Sequence, residues 1–349
     1  MFGSVKKLLV SMLLAGALLL LAGCTPEKGM QSVKATTSPA AKELPTPTAT
    51  PEPTATPVPT ALPTLPPLPE PTPCGLLSWR ESGRFTEGEV EQGKDFYRSA
   101  NISITVETVS VNRSEYTNRS LTYYMADIYL KDVTSLRRGF AKGSFTAGSS
   151  RSIENMAKMY SNILVMSGDQ TSRKINCLVI HDGELVFDSG EYTRDLCVLY
   201  RDGTIETYAP EDIDVEAILA KDPWQSWSFG PILLDKKGRA AKDFNLPDHI
   251  SARNPRAVLG YYKPGHYCLI VVDGRRSSYS LGLNIHELAE FVEDFGFTAA
   301  YNLDGGLTAQ IAFGGERLNR PVNDRSVRDV LYIVDSTESM EAQAAQGEE

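Results

Sequence analysis

Histidine is scarce in this chain of 349 residues. His181, His249, His266 and His286 are scattered too widely to suggest a histidine-built metal set. Cysteine is scarce too: beyond Cys24, the spacing of Cys74, Cys177, Cys197 and Cys268 does not resemble a zinc site. Buried thiols and one disulfide both stay open, with three fully paired arrangements available. Positive charge is in deficit, and a formal net charge of −9 argues against nucleic acid as a partner. No internal repeat and no strong glycine-rich phosphate loop is present. Proline is sparse after residue 74, because 14 of the 21 prolines fall between Thr25 and Pro73. A long apolar run occurs once, from Leu8 to Leu21, short of the roughly 18 residues that a membrane span requires.

That run follows Lys6 and Lys7 and ends in Leu21-Ala22-Gly23-Cys24, a secretory signal with a lipobox. The pattern is similar to bacterial lipoproteins. It implies a signal peptide over 1–23, lipid on Cys24, and an extracytoplasmic protein anchored to the membrane. Residues 24–74, rich in Pro and Thr, lack backbone donors and apolar bulk for a core and read as a disordered tether. At about 3.1 Å per residue its reach is on the order of 100 Å. Residues 75–335 have balanced composition and read as one domain, with a solvated acidic tail over 336–349.

Within the domain, INCLVIHDGELVF and LCVLYRDGTIETY each predict two short strands joined at Asp-Gly, where tight hairpins need positive φ. SIENMAKMY predicts a helix starting at Ser152, with a strand following to about Met166 and ending in Ser167-Gly168-Asp169. Trp224, Trp227 and Phe229 are suited to stacking on a sugar, with packing expected for at least two of them. From Arg256 to Leu303 the pattern reads strand, hairpin, strand, loop, helix, strand. Pairing Tyr262 with Tyr267 sets Arg256 opposite Asp273. Asn284 and Glu287 form a capping box ahead of an apolar face of Ile285, Leu288, Ala289, Val292 and Phe295, and Gly296 ends the helix. The strands on either side of that helix are expected to be parallel neighbours, a βαβ unit in a mixed, mainly antiparallel sheet with few helices.

Both of those strands end in an aspartate followed by glycine: Asp273-Gly274-Arg275 and Asp304-Gly305-Gly306. Parallel strands would bring two carboxylates and the guanidiniums of Arg256 and Arg275 to one edge. Guanidinium pairs bind phosphate, and a carboxyl group moves a proton or activates a nucleophile. A structural ion pair of Arg256 with Asp273 is the competing expectation.

PRAVLGYY, VVDGRRSSYSLGLNIHELAEF and AAYNLDGG resemble the phosphodiester glycosidase family, with similarity from about Asp95 to Asp335 through YMADIYL, NILVMSGD, WSFGPILL and NRPVNDRSVRDVLYIVD. The resemblance implies an α+β fold and cleavage between a sugar anomeric carbon and a phosphodiester oxygen. It makes Asp304, Asp273 and Asp169 candidate catalytic residues. Arg256, Arg275, Asn302, Gly305, Gly306, Thr308, Asn323 and Arg325 become candidate substrate contacts. A divalent cation at Asp304 is open, and an envelope or exopolysaccharide glycan carrying sugar phosphodiesters is the expected partner. Two segments depart from the family pattern, Ser167-Gly168-Asp169-Gln170 and Gly305-Gly306-Leu307-Thr308-Ala309. They motivate the alternative of an inactive glycan-binding or envelope-assembly module of the same fold.

Overall fold

The structure is a computed structural model that describes residues 73–74, 77–78, 85–145, 148–170 and 176–335. The signal peptide (1–23), Cys24, most of the tether (24–74) and the tail (336–349) lie outside the described residues.

The domain is α+β, built mostly of antiparallel strands with few helices. Its largest sheet has seven strands in the order Ala299–Leu303, Arg256–Lys263, His266–Val272, Leu121–Leu130, Ile102–Val111, Phe96–Arg98 and Glu91–Gln92. A five-stranded sheet orders Glu316–Arg317, Ile311–Phe313, Leu164–Ser167, Asp329–Ile333 and Leu136–Phe140. Three strands, Ile205–Tyr208, Leu196–Tyr200 and Pro223–Trp227, form a third sheet.

Period-two alternation in the central strands feeds two cores. Ala257, Leu259, Leu269, Val271 and Leu303 face the other sheets and pack with Leu164, Met166, Ile311, Leu331 and Trp227. Val258, Ile270 and Val272 face the opposite way, under Leu288, Phe291 and Val292 of the helix Ile285–Glu293. That helix starts as its sequence requires: Asn284 Oδ1 accepts from Glu287 N at 2.9 Å, and Glu287 Oε2 accepts from Asn284 N at 2.9 Å. Gly296, at φ 71°, follows its end. The helix Ile153–Tyr160 is capped by Ser152, whose Oγ accepts from Asn155 N at 3.3 Å.

The hairpin of Leu178–His181 with Glu184–Asp188 turns on Asp182 and Gly183, at φ 52° and 86°. In the next hairpin only Gly203, at 85°, is left-handed. Cys177, Cys197 and Cys268 are free and buried, and burial pushes the Cys197 and Cys268 thiols well up.

Two expectations are corrected. His266–Val272 and Ala299–Leu303 are parallel, but Arg256–Lys263 lies between them and pairs antiparallel with both. The helix therefore crosses over an intervening strand instead of joining neighbours, and both strands still end at one edge. The register also differs: Arg256 faces Val272, not Asp273. The shift falls between Tyr261 and Lys263, where Tyr261 pairs with Tyr267 and Lys263 with His266, so Tyr262 is the extra residue of a bulge. One residue of slip sends neighbouring side chains to opposite faces, so Arg256 and Asp273 do not form the anticipated ion pair.

Candidate active site

The strand ends open into a cavity of about 230 Å³, lined by Gln170, Arg194, Phe229, His249, Ile250, Asn254, Arg256, Arg275, Asp304, Gly305, Gly306, Leu307 and Arg325. Asp304 is the one carboxylate among these residues. Its backbone N–H donates to Gly168 O at 2.9 Å, which ties the end of Ala299–Leu303 to the end of Leu164–Ser167 and so joins the two larger sheets at the cavity floor. Burial pushes the Asp304 carboxyl up to about 6; the Thr308 hydroxyl, Arg325 and Arg194 pull against that rise, and Asp329 adds to it.

The segment Asp304-Gly305-Gly306 is no hairpin turn, because it leads into a single turn of 3-10 helix at Gly306–Thr308 and on to the five-stranded sheet. A Cβ on Gly305 would lie 2.7 Å from Pro255 O, and one on Gly306, at φ 67°, would lie 3.3 Å from Arg275 Nη2. The two glycines let the loop press against the start of the Arg256–Lys263 strand, where Gly306 N donates to Pro255 O at 2.9 Å.

The two arginines anticipated from sequence are both held from behind. Arg256, 2% exposed, donates through Nε to Leu283 O at 2.9 Å and through Nη2 to Ala252 O at 2.7 Å. Burial lowers its guanidinium to about 10, still charged at neutral pH; Glu287 raises it and Arg275 lowers it further. Arg275, itself at φ 62°, forks Nε and Nη2 onto Asn254 Oδ1 at 3.1 and 2.7 Å. Asn254 is in turn fixed by donating to His249 O at 3.0 Å and Ala252 O at 3.1 Å. In each arginine the remaining Nη1 has no partner among the described residues.

Several candidates lie elsewhere. Asp273 does not line the cavity: it is 1% exposed and accepts from Asn319 Nδ2 at 2.8 Å, Arg320 N at 2.9 Å and Tyr279 Oη at 3.1 Å. The register slip turns it to the face opposite Arg256, where that shell closes over it. Asp169 is buried behind the cavity, accepting from Ser228 N at 2.6 Å and Arg138 Nη2 at 3.3 Å, while Arg138 also donates to Asp329 at 2.7 Å. Burial raises the Asp169 carboxyl, opposed by Arg138 and reinforced by Asp329.

Asn302 is fully buried beneath the floor, donating Nδ2 to Gly230 O at 2.7 Å. Thr308 braces the loop by donating Oγ1 to Gly305 O at 2.6 Å. Asn323 is exposed and outside the cavity lining. Trp224 and Trp227 belong to the core, whereas Phe229 reaches the cavity. Among the described residues, no group of three or more His, Cys, Asp or Glu is arranged to hold a metal ion.

Arg194 and Asn254 were not among the sequence candidates, whereas Phe229 was one of the three aromatics suited to stacking and is the one that lines the cavity. Phe229 arrives because the chain after it runs along the Ala299–Leu303 strand, with Asn302 N donating to Pro231 O at 3.1 Å and Leu233 N to Ala300 O at 2.9 Å. Arg194 arrives because Asp195 accepts from Ile232 N at 2.7 Å and, through its carbonyl, from Tyr301 Oη at 2.5 Å. Of Arg194 and Asn254, only Asn254 carried a local signal, in the Asn-Pro-Arg order that places it close to Arg256.

A profile of the phosphodiester glycosidase family matches residues 160–334, which include every residue of the cavity. The chain belongs to the phosphodiester glycosidase family. Two curated relatives carry the similarity at sequence level. The SPbeta prophage-derived uncharacterized protein YomE of Bacillus subtilis is 30% identical over 187 residues, 51% of this chain and 29% of its own length. Mouse N-acetylglucosamine-1-phosphodiester alpha-N-acetylglucosaminidase is 27% identical over 157 residues, 41% of this chain and 29% of its own length. The chain thus spans under a third of either relative.

The same fold is seen in two solved structures. The zebrafish N-acetylglucosamine-1-phosphodiester alpha-N-acetylglucosaminidase catalytic domain, auto-inhibited by its pro-peptide, matches with a TM-score of 0.56 at 20% identity, covering 71% of this chain and 88% of that one. A hypothetical protein from Synechocystis matches with a TM-score of 0.50 at 14% identity, covering 67% and 62%. For a phosphodiester glycosidase domain, the strand-end cavity of this chain combines one carboxylate with four guanidiniums.

Proposed function

We propose that this domain hydrolyses a sugar-1-phosphodiester, breaking the bond between the anomeric carbon and the phosphodiester oxygen. The observation that carries this reading is the pairing of Asp304 with Arg256 and Arg275 across one cavity, each arginine keeping an N–H for the substrate. A phosphate leaves as an anion without needing a proton, so the chemical demand falls on stabilising its charge and on activating water. The free N–H groups of Arg256 and Arg275 suit the two non-bridging oxygens of one phosphate. Asp304, with a value near 6, is largely ionised at neutral pH and is poised to take the proton of the attacking water. Gly305 and Gly306 let a sugar approach the loop backbone. Asp273 is left out of the chemistry, because its oxygens are occupied and turned away.

The signal sequence and the Pro/Thr-rich segment support an outward-facing, lipid-anchored protein acting on an envelope or exopolysaccharide phosphoglycan. Loss of lipid labelling in Cys24→Ala, with wild type labelled, checks the anchor. The activity is checked by incubating the full chain with a sugar-1-phosphodiester in 18O-labelled water. Free reducing sugar carrying the label is expected, with unlabelled phosphomonoester. Label in the phosphate, or binding without release of sugar, would contradict hydrolysis at carbon and favour a glycan-binding module.

A further inference from the structure

We infer that Arg194, seated over Phe229, is a second anion-binding group, and that the substrate's aglycone bears another phosphate or carboxylate beyond the phosphodiester that is cut. This rests on the function proposed above and specifies its substrate class. The cavity's charges are unbalanced. The cavity is lined by the guanidiniums of Arg194, Arg256, Arg275 and Arg325 against the single carboxylate of Asp304, in a chain whose net charge is −9. Adding the buried Asp169, Arg138 and Asp329 behind the wall leaves the balance positive. A phosphodiester supplies only one negative charge and two non-bridging oxygens, and the free N–H groups of Arg256 and Arg275 already match those oxygens.

Arg194 has no such engagement. Its guanidinium lies 5.3 Å from the centroid of the Phe229 ring and donates no hydrogen bond to any described residue. Its position is nonetheless fixed, since the adjoining Asp195 is tied to Ile232 and to Tyr301. Its field reaches Asp304 and Asp169, lowering both carboxyls without contacting either. A fixed, half-buried guanidinium, backed by an aromatic face and with its donors unused, suits an anionic ligand group. A polymer of repeating sugar phosphodiesters presents such a group, because the next phosphate follows the one that is cut.

The test uses three substrates with one sugar and three aglycones: methyl phosphate, 2-carboxyethyl phosphate and 2-phosphoethyl phosphate. In the wild-type full chain, kcat/KM is expected to be highest for the phosphoethyl substrate and lowest for the methyl one, with the preference falling as salt rises. Arg194→Gln should reduce the phosphoethyl-to-methyl preference by about tenfold, and Arg194→Lys should restore part of it. A larger preference for phosphate than for carboxylate assigns the group as phosphate, and the reverse assigns carboxylate. Equal losses on all three substrates in Arg194→Gln, or no preference in the wild type, would overturn the inference. Calorimetric binding of the same compounds separates it from the proposed function: tighter binding of the doubly anionic compounds without turnover would sustain the subsite and reject the hydrolase. Equal affinities in wild type would reject the subsite whether or not sugar is released.

Discussion

Asp273-Gly274 and Asp304-Gly305 are the same dipeptide, each just past the end of a strand, at one edge of one sheet. Asp273 is sealed by Asn319, Arg320 and Tyr279 and serves as an acceptor that holds the Asn319–Arg320 loop. Asp304 faces the cavity and keeps a carboxyl value near 6. What separates them is the chain packed over each strand end: two donors from the Asn319–Arg320 loop and one from Tyr279 close one, and two glycines keep the other open. A carboxylate at a strand end is thus assigned to structure or chemistry by its covering layer.

The sharpest way to break this comparison is to neutralise each carboxylate in turn. Asp304→Asn is expected to lower kcat/KM on a sugar-1-phosphodiester by about 10²–10⁴-fold. Asp273→Asn should leave the rate per folded molecule within about threefold, because no reacting atom meets it. Removing the buried acceptor altogether in Asp273→Ala strands three donors. It should cost about 2–4 kcal/mol of stability in urea unfolding, and an unchanged midpoint would show that the shell around Asp273 is not structural.

Gly305→Ala sharpens the other half. Its new Cβ would sit 2.7 Å from Pro255 O, so the strand start must shift, at about 1–3 kcal/mol. Because Arg256 follows Pro255, KM should rise along with the loss of stability.

The smallest effect concerns pH. The Asp304 carboxyl is raised from an ordinary 3.8 to about 6, so the folded chain holds that proton more tightly than the unfolded one. Relative to a neutral side chain, Asp304 costs nothing below about pH 4 and its full penalty above about pH 6. Asp304→Asn should therefore stabilise the fold at pH 7 by about 1–2 kcal/mol, allowing for solvent in the cavity. That gain should vanish near pH 4 in thermal unfolding.

Local signals in the sequence were legible wherever the physics was local. The Asn284–Glu287 capping box, the Ser152 cap and the Asp182-Gly183 turn each involve residues a few positions apart. Asp304, Gly305, Gly306, Arg256 and Arg275 were legible as a group because they flank one hairpin and one crossover. The bulge at Tyr262 was not, since an Asn-Gly-like two-residue turn and a bulged one read alike, and that single residue moved Asp273 to the other face. The strand between the parallel pair was already identified, but its place in the sheet depends on pairing energies that hydrophobic pattern does not report. Arg194 reaches the site from a segment about 110 residues before Asp304, held there by Asp195 and Tyr301, a pairing over a sequence separation that local pattern does not report. The Asp169–Arg138–Asp329 cluster likewise joins residues far apart in sequence, brought together by three neighbouring strands of the five-stranded sheet.

The pH dependence of kcat/KM on a sugar-1-phosphodiester tests the assignment of Asp304 most directly. The account predicts an acidic limb with a midpoint near 6, with activity falling as pH drops through it and the limb absent from the residual activity of Asp304→Asn. A limb that persists in Asp304→Asn, or one that disappears in Asp273→Asn instead, would contradict it.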